Sequence, residues 1–253
     1  AELTIAYLYY RDVGLMKKHI ASWQAFPAPL LRRLNFLIID DGSPPGERAA
    51  EIVGGALCGA RVLVVEVLQD VAWNIGGARN LIFTVAPTEV ILMVDADQML
   101  PVDLVEWALR RAPTTKGKCE IVRGFPRKLL SGRPFRVHPG VMLASRDSYW
   151  RVGGCDEDFV GQYGHTDVHF NQRVEQTAGC GILQAADLPI RGRPPSLIYL
   201  EDPRTKTKFY SRDNSRNKAL FEAKMAGQKP WSRDTLRFNW TLAVDSAAHC
   251  TFV

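Results

Sequence analysis

The sequence predicts an α/β domain with a Rossmann-like, mostly parallel central sheet flanked by helices. Three observations support this. Short apolar runs of strand length alternate with helix-like segments through the first part of the chain, the pattern of βαβ units. Two of those runs stop abruptly at acidic turns. The composition of the 253 residues, 46% apolar and 23% charged, is that of a globular protein with a sizeable core.

Taken in order, Leu3 to Tyr10 is an apolar and aromatic strand, and His19 to Leu31 continues as a helix broken by Pro27 and Pro29. Leu34 to Ile39 ends at Asp40-Asp41-Gly42-Ser43 and reads as a buried parallel strand. Arg61 to Leu68 and Glu89 to Val94 are further strands, the last running into Asp95-Ala96-Asp97. Pro45 to Leu57, Gly77 to Val85 and Val102 to Arg111 are the intervening helices. Beyond them Glu120 to Phe125 and Val137 to Ala144 read as strands around a basic turn-rich stretch, Pro126 to Pro134. Asp167 to Glu175 and Ser215 to Ala226 read as helices, and the proline-interrupted Arg191 to Arg216 as a loop or flap.

Charge and cysteines bound the function. Lys and Arg exceed Asp and Glu by 32 to 27, a net +5 that suits an anionic small ligand. No block of like charges and no nucleic-acid motif is present, so no nucleic-acid partner is expected. No apolar run approaches the roughly 20 residues that span a bilayer. The five cysteines (Cys58, Cys119, Cys155, Cys180, Cys250) are widely spaced without a CxxC pair. They read most simply as reduced thiols of a cytoplasmic protein, peripheral to a membrane at most, with one or two disulfides as the lumenal alternative. Opening on Ala1 almost directly at a strand, without a signal peptide, the sequence reads as a piece of a longer chain.

In parallel sheets ligands bind beyond the carboxyl ends of the strands, which is where the acidic turns fall. Asp95 and Asp97, one residue apart, have the hard oxygen ligands that Mg²⁺ or Mn²⁺ prefers. A solvated acidic turn is the plain alternative. Asp40 and Asp41 offer acceptors to a base or ribose, or simply make a turn. Asn74-Ile75-Gly76-Gly77-Ala78-Arg79-Asn80 opens a helix whose N-terminus and arginine suit phosphate; a glycine turn into an ordinary surface helix is the alternative. No GxGxxG or GxxxxGK[ST] is present. Gly153-Gly154-Cys155-Asp156-Glu157-Asp158-Phe159 and Gly161 to Asp167 gather acids and a histidine able to take a proton from an acceptor hydroxyl, with glycines that let substrate come close; a helix-capping loop is the alternative.

In this order the four motifs resemble those of GT-A glycosyltransferases of family 2 and the related galactosyltransferase-like groups, over residues 2 to 175. The resemblance implies a GT-A domain across 1–253: a nucleotide-sugar half (1–100), an acceptor half with a smaller sheet (101–190), and C-terminal flap and helices (191–253). It implies inverting transfer from a nucleotide-diphosphate sugar, UDP-linked by preference, to a saccharide or other hydroxyl acceptor. Tyr10, Asp40, Asp41, Asn74, Gly77, Arg79 and Asp95 would face the donor. Asp95 and Asp97 would hold Mn²⁺ or Mg²⁺, and Asp167 would be the general base. Gly153, Gly154, Asp156, Glu157 and Thr166 would lie on the acceptor side. The chain departs from the pattern at Leu8, Arg11 and Thr166, which replaces the Glu of an ED pair. It also lacks the later metal-binding His, for which His169, Glu201 or Asp202 are the substitutes. The alternative is a sugar-nucleotide-binding module without activity, part of a larger assembly. A sugar-1-phosphate nucleotidyltransferase is disfavoured, because Tyr9-Tyr10-Arg11-Asp12 stands where its glycine-rich loop would be.

Overall fold

The computed structural model describes residues 1–53, 59–115, 117–188, 195–200 and 210–246. The strands are β1 (Leu3–Tyr9), β2 (Leu34–Asp40), β3 (Arg61–Val67), β4 (Val90–Asp95), β5 (Gln98–Met99), β6 (Cys119–Arg123), β7 (Arg127–Leu129), β8 (Pro134–Phe135), β9 (Met142–Ser145), β10 (Cys180–Gln184), β11 (Leu197–Tyr199) and β12 (Trp240–Asp245). The helices are α1 (Val13–Gln24), α2 (Ala28–Leu31), α3 (Ala49–Val53), α4 (Ile75–Val85), α5 (Val102–Thr115), α6 (Arg146–Val152), α7 (Thr166–Gln176) and α8 (Ser215–Met225).

Strand order in the main sheet is β10-β6-β9-β4-β1-β2-β3-β12. The four strands expected from the first part of the chain lie side by side and parallel, β4-β1-β2-β3. β9 runs antiparallel between β4 and β6, and β12 antiparallel on β3. A smaller sheet, β5-β11-β7-β8, stands apart. The strand pleat sends alternate side chains to opposite faces. Ile5, Tyr7, Phe36, Ile38, Leu92 and Val94 pack in one core, while Ala6, Leu37, Ile39, Ile91 and Met93 pack in the other with Leu81 and Ile82 of α4. Both faces are therefore buried, which is why these strands read as unbroken apolar runs.

The structure corrects several boundaries. The first helix starts at Val13, where Asp12 Oδ1 accepts from Leu15 N at 2.9 Å, and stops at Gln24 ahead of Pro27. Of the expected strand Val137 to Ala144, Val137 to Val141 form no strand; the His138 ring takes two backbone N–H groups there instead. The stretch read as loop from Arg191 contains β11, and the C-terminal stretch supplies β12 as an edge strand of the main sheet. The reduced-thiol expectation fails for two cysteines, since Cys119 and Cys180 are joined by a disulfide between β6 and β10. Cys155 is a buried free thiol, and Cys58 and Cys250 lie outside the described residues. No helix among the described residues is long and apolar enough to cross a membrane.

Candidate active site

Parallel register brings the strand ends together: Tyr9 lies opposite Asp40, and Leu8 opposite Asp95. Asp95 ends β4 with Asp97 just beyond, both side chains part-exposed. Burial pushes the Asp97 carboxyl up, and the Asp95 charge adds to the rise. Two carboxylates crowded this way favour a cation between them. Among the described residues no group of three or more His, Cys, Asp or Glu side chains is arranged to enclose a metal. The pair fits a divalent ion that would take further oxygens from a diphosphate.

Helix α4 carries Arg79 into the same place. The guanidinium is only 2% exposed; Nη1 donates to Asp167 Oδ1 at 2.7 Å, and Nη2 stands 3.8 Å from Asp95 Oδ1. Arg123 at the end of β6 donates from Nη2 to the same Asp167 oxygen at 2.8 Å and also reaches Pro139 O and Asn171 Oδ1. Burial raises the Asp167 carboxyl, but Arg79 and Arg123 outweigh it and hold the group below the usual carboxylate range. Asp167 Oδ2 takes no hydrogen bond from the described residues. Asp167 stands in the first turn of α7, after His165 at a left-handed φ of 66°, rare for a residue with a Cβ. Thr166 opens that helix, with its methyl 3.5 Å from where a Cβ on Gly76 would be.

The base-side candidates form a second group. Asn74 Nδ2 donates to Asp41 Oδ1 at 2.8 Å, and burial pushes the Asp41 carboxyl up to about 7. Asn74 Oδ1 would lie 2.2 Å from a Cβ on Gly77, so that glycine lets the Asn74 side chain fold over the helix start. Tyr10 donates to Asp70 Oδ2 at 3.1 Å and lies 3.0 Å from the Tyr210 hydroxyl, beside a 220 Å³ cavity lined by Trp73 and Tyr210. Asp40 is turned inward: its oxygens accept from Ser43 N at 3.0 Å and Ala49 N at 2.7 Å, fixing the turn and the start of α3.

Other candidates hold the framework. Gly153, at a φ of 92°, ends α6, and Gly154 follows at 66°; a Cβ on Gly154 would lie 2.6 Å from Asn80 Oδ1. Asn80 Nδ2 donates to Cys155 O at 3.0 Å and Glu157 Oε1 at 2.7 Å, tying the glycine-rich segment to α4. Glu157 also accepts from Leu236 N and Arg237 N, and buried Asp156 pairs with Lys224 Nζ at 2.9 Å. His169 is buried among Phe159, Phe221 and Trp231, its ring pushed down to about 4 by burial; Glu201 and Asp202 lie outside the described residues. A 640 Å³ cavity between α8 and residues 157–160 is lined, among the described candidates, by Asn74 and Glu157.

Four neighbours of the acidic pair escaped the sequence reading. His138 Nε2 is 3.3 Å from Asp95 Oδ2 and 3.8 Å from Asp97 Oδ1. His19 Nε2 bonds the Ala96 carbonyl at 2.6 Å; that oxygen only accepts, so the ring donates. Arg123 is one, and Arg127, beside the stacked rings of Phe135 and Tyr199, faces the Asp97 charge from the small sheet. The one local signal was His138-Pro139-Gly140, a turn leading into the strand beside β4.

No family model matches the chain, and no curated protein sequence matches it. Solved structures do. A mannosyltransferase from Pyrobaculum calidifontis in complex with GDP-Man and Mn²⁺ superposes with a TM-score of 0.55 at 17% identity, over 81% of this chain and 58% of that one. TarS of S. aureus in complex with UDP-GlcNAc gives 0.55 at 13%, over 83% and 62%. The catalytic domain of Drosophila β1,4-galactosyltransferase 7 in complex with xylobiose gives 0.56 at 12%, over 92% and 82%. The chain thus spans about three-fifths of the first two proteins. The fold is that of GT-A glycosyltransferases, as its motifs imply.

Proposed function

We propose that this GT-A chain transfers a sugar from a nucleoside-diphosphate donor to an acceptor hydroxyl, inverting the anomeric carbon. The observation that carries the reading is the convergence of Asp95, Arg79 and Asp167, with Asp97 alongside, at the carboxyl end of the parallel sheet. The fold's neighbours include complexes with GDP-Man, UDP-GlcNAc and UDP-Gal, two of them also with manganese. UDP is the favoured base carrier, with Tyr10 and the Asp41–Asn74 pair beside the base and ribose. A saccharide is the favoured acceptor, after the xylobiose of one neighbour.

Asp95 and Asp97 would hold Mn²⁺ or Mg²⁺, which when bound supplies positive charge to the departing diphosphate. Arg79 and Arg123 hold Asp167 through Oδ1 and keep it ionised, leaving Oδ2 for the proton of the attacking hydroxyl. A carboxylate stabilised this way is a weak base. It suits a reaction in which the hydroxyl loses its proton as it bonds to an electron-poor carbon.

The test is thermal unfolding with UDP, GDP, CDP or TDP, each with Mn²⁺ or chelator, in wild type and Asp97→Ala. A ligand at about 100 times its Kd adds about 2.7 kcal/mol, which at roughly 2–4 °C per kcal/mol raises the midpoint by several degrees. We expect one nucleotide to do so only with Mn²⁺, and not in Asp97→Ala; no shift with any would overturn the donor site. Asp167→Asn should keep that shift while sugar transfer falls about a hundredfold to ten-thousandfold. Donor binding without transfer in wild type would favour the inactive module.

A further inference from the structure

The acidic turn is held from two sides by histidines of different parts of the chain. His19 of α1 fixes its backbone through the Ala96 carbonyl. His138 addresses its carboxylates, and which ring nitrogen carries the hydrogen decides what it does there. His138 Nδ1 accepts from the backbone N–H of Gly140 at 2.9 Å and of Val141 at 3.2 Å. A ring nitrogen that accepts is bare, so the hydrogen is on Nε2, the atom between Asp95 and Asp97.

We propose that His138 is a positioning residue that presents an N–H, not a lone pair, to Asp95 and Asp97, orienting both from outside the metal's coordination shell. The inference rests on the reading of these two aspartates as the metal-holding pair. The turn fixes the ring's orientation. His138 N donates to Phe125 O at 3.3 Å, and Arg123 Nη2 holds the Pro139 carbonyl. Turning a lone pair toward the carboxylates would strip the Gly140 and Val141 N–H groups of their buried acceptor, a cost nothing nearby offsets. Partners of this outer kind set the orientation and basicity of metal-binding carboxylates.

The experiment uses the full chain and Mn²⁺ alone. In the metal-free protein, ¹⁵N spectra of His138 should show a hydrogen-bearing Nε2 and a bare Nδ1. With Mn²⁺ bound, the electron spin-echo modulation should contain no coupling to histidine nitrogen. Calorimetric Mn²⁺ affinity should fall about tenfold to a hundredfold in His138→Ala and recover in His138→Gln, whose amide restores an N–H. A bare Nε2, nitrogen coupling that disappears in His138→Ala, or unchanged affinity in that variant would each overturn the proposal while leaving the aspartate pair as the metal site. Wild type that takes up no Mn²⁺ would remove the metal reading, and this proposal with it.

Discussion

Adding one methyl group at Gly140 would bring a carbon within 2.5 Å of Asp95 Oδ2 and 2.7 Å of Arg79 Nη2. The backbone there is not left-handed, so the demand is for space alone, and it comes from the candidate site. Gly140→Ala should therefore part Asp95 from Arg79. Overpacking of this kind costs about 1–3 kcal/mol, a few degrees of midpoint, while Mn²⁺-dependent nucleotide binding should weaken tenfold or more. Binding at wild-type strength would separate Gly140 from the site. Single residues were legible from sequence where a motif marked them: Asp95, Arg79 and Asp167 meet in space. Arg123, His138 and Gly140 lacked such a mark, because each acts through a partner distant in the chain. Conversely Asp40, Asp156 and Glu157 belong to the motifs, yet their carboxylates are taken up by backbone amides and Lys224. An acid in a turn looks the same from sequence whether it faces a ligand or the fold.

Helix α8 shows how an element remote from the chemistry positions it. Asn217, fully buried, donates to Phe159 O at 2.9 Å and Gln162 O at 2.8 Å, and Arg216 Nη2 reaches Asp158 O at 3.1 Å. The loop these bonds grip leads directly into α7 and Asp167. Lys224 anchors the far end of the helix, its side chain 0% exposed, 2.9 Å from Asp156 Oδ2 and 2.7 Å from Asp158 Oδ2. Removing one partner of a buried pair leaves the other charge uncompensated, a loss of about 3–5 kcal/mol. Lys224→Met should lower unfolding free energy by that amount in denaturant titration, and the double variant with Asp156→Leu should recover much of it. A single variant as stable as wild type would mean that α8 is not held by this pair. The helix itself was legible from its sequence, as were the four parallel strands, because a helix-forming run and an unbroken apolar run are both local signals. The strands β5, β7, β8 and β11 were not, being two or three residues long and formed only by pairing.

Across the whole molecule, the bond between Cys119 and Cys180, 61 apart in sequence, closes a segment that contains His138, Gly140 and Asp167. It joins β6 to β10, the last strand at that edge, while Arg123 at the other end of β6 grips Asp167. Strands β4, β1, β2 and β3 lie outside this loop, on the far side of β9. Sequence alone did not choose this pairing, because cysteines 61 apart in sequence leave no local trace of their pairing. Such a bond persists where the surroundings are oxidising. In the chain-entropy account, a loop of this length stabilises by about 4 kcal/mol. Cys119→Ser with Cys180→Ser should lose roughly that much in denaturant unfolding, and wild type should match it once reduced. Under native conditions the variant should still bind nucleotide with Mn²⁺, because Asp95 and Asp97 follow β4 rather than the closed segment. Arg123 and Asp167, within the closed segment, are exposed to more fluctuation, so transfer should fall more than nucleotide binding does. If both fall together, the two halves of the site are coupled through β9, which pairs with β4 on one side and β6 on the other. If unfolding is unchanged by reduction, the parallel pairing of β10 with β6 already holds the edge, and the covalent link adds nothing to it.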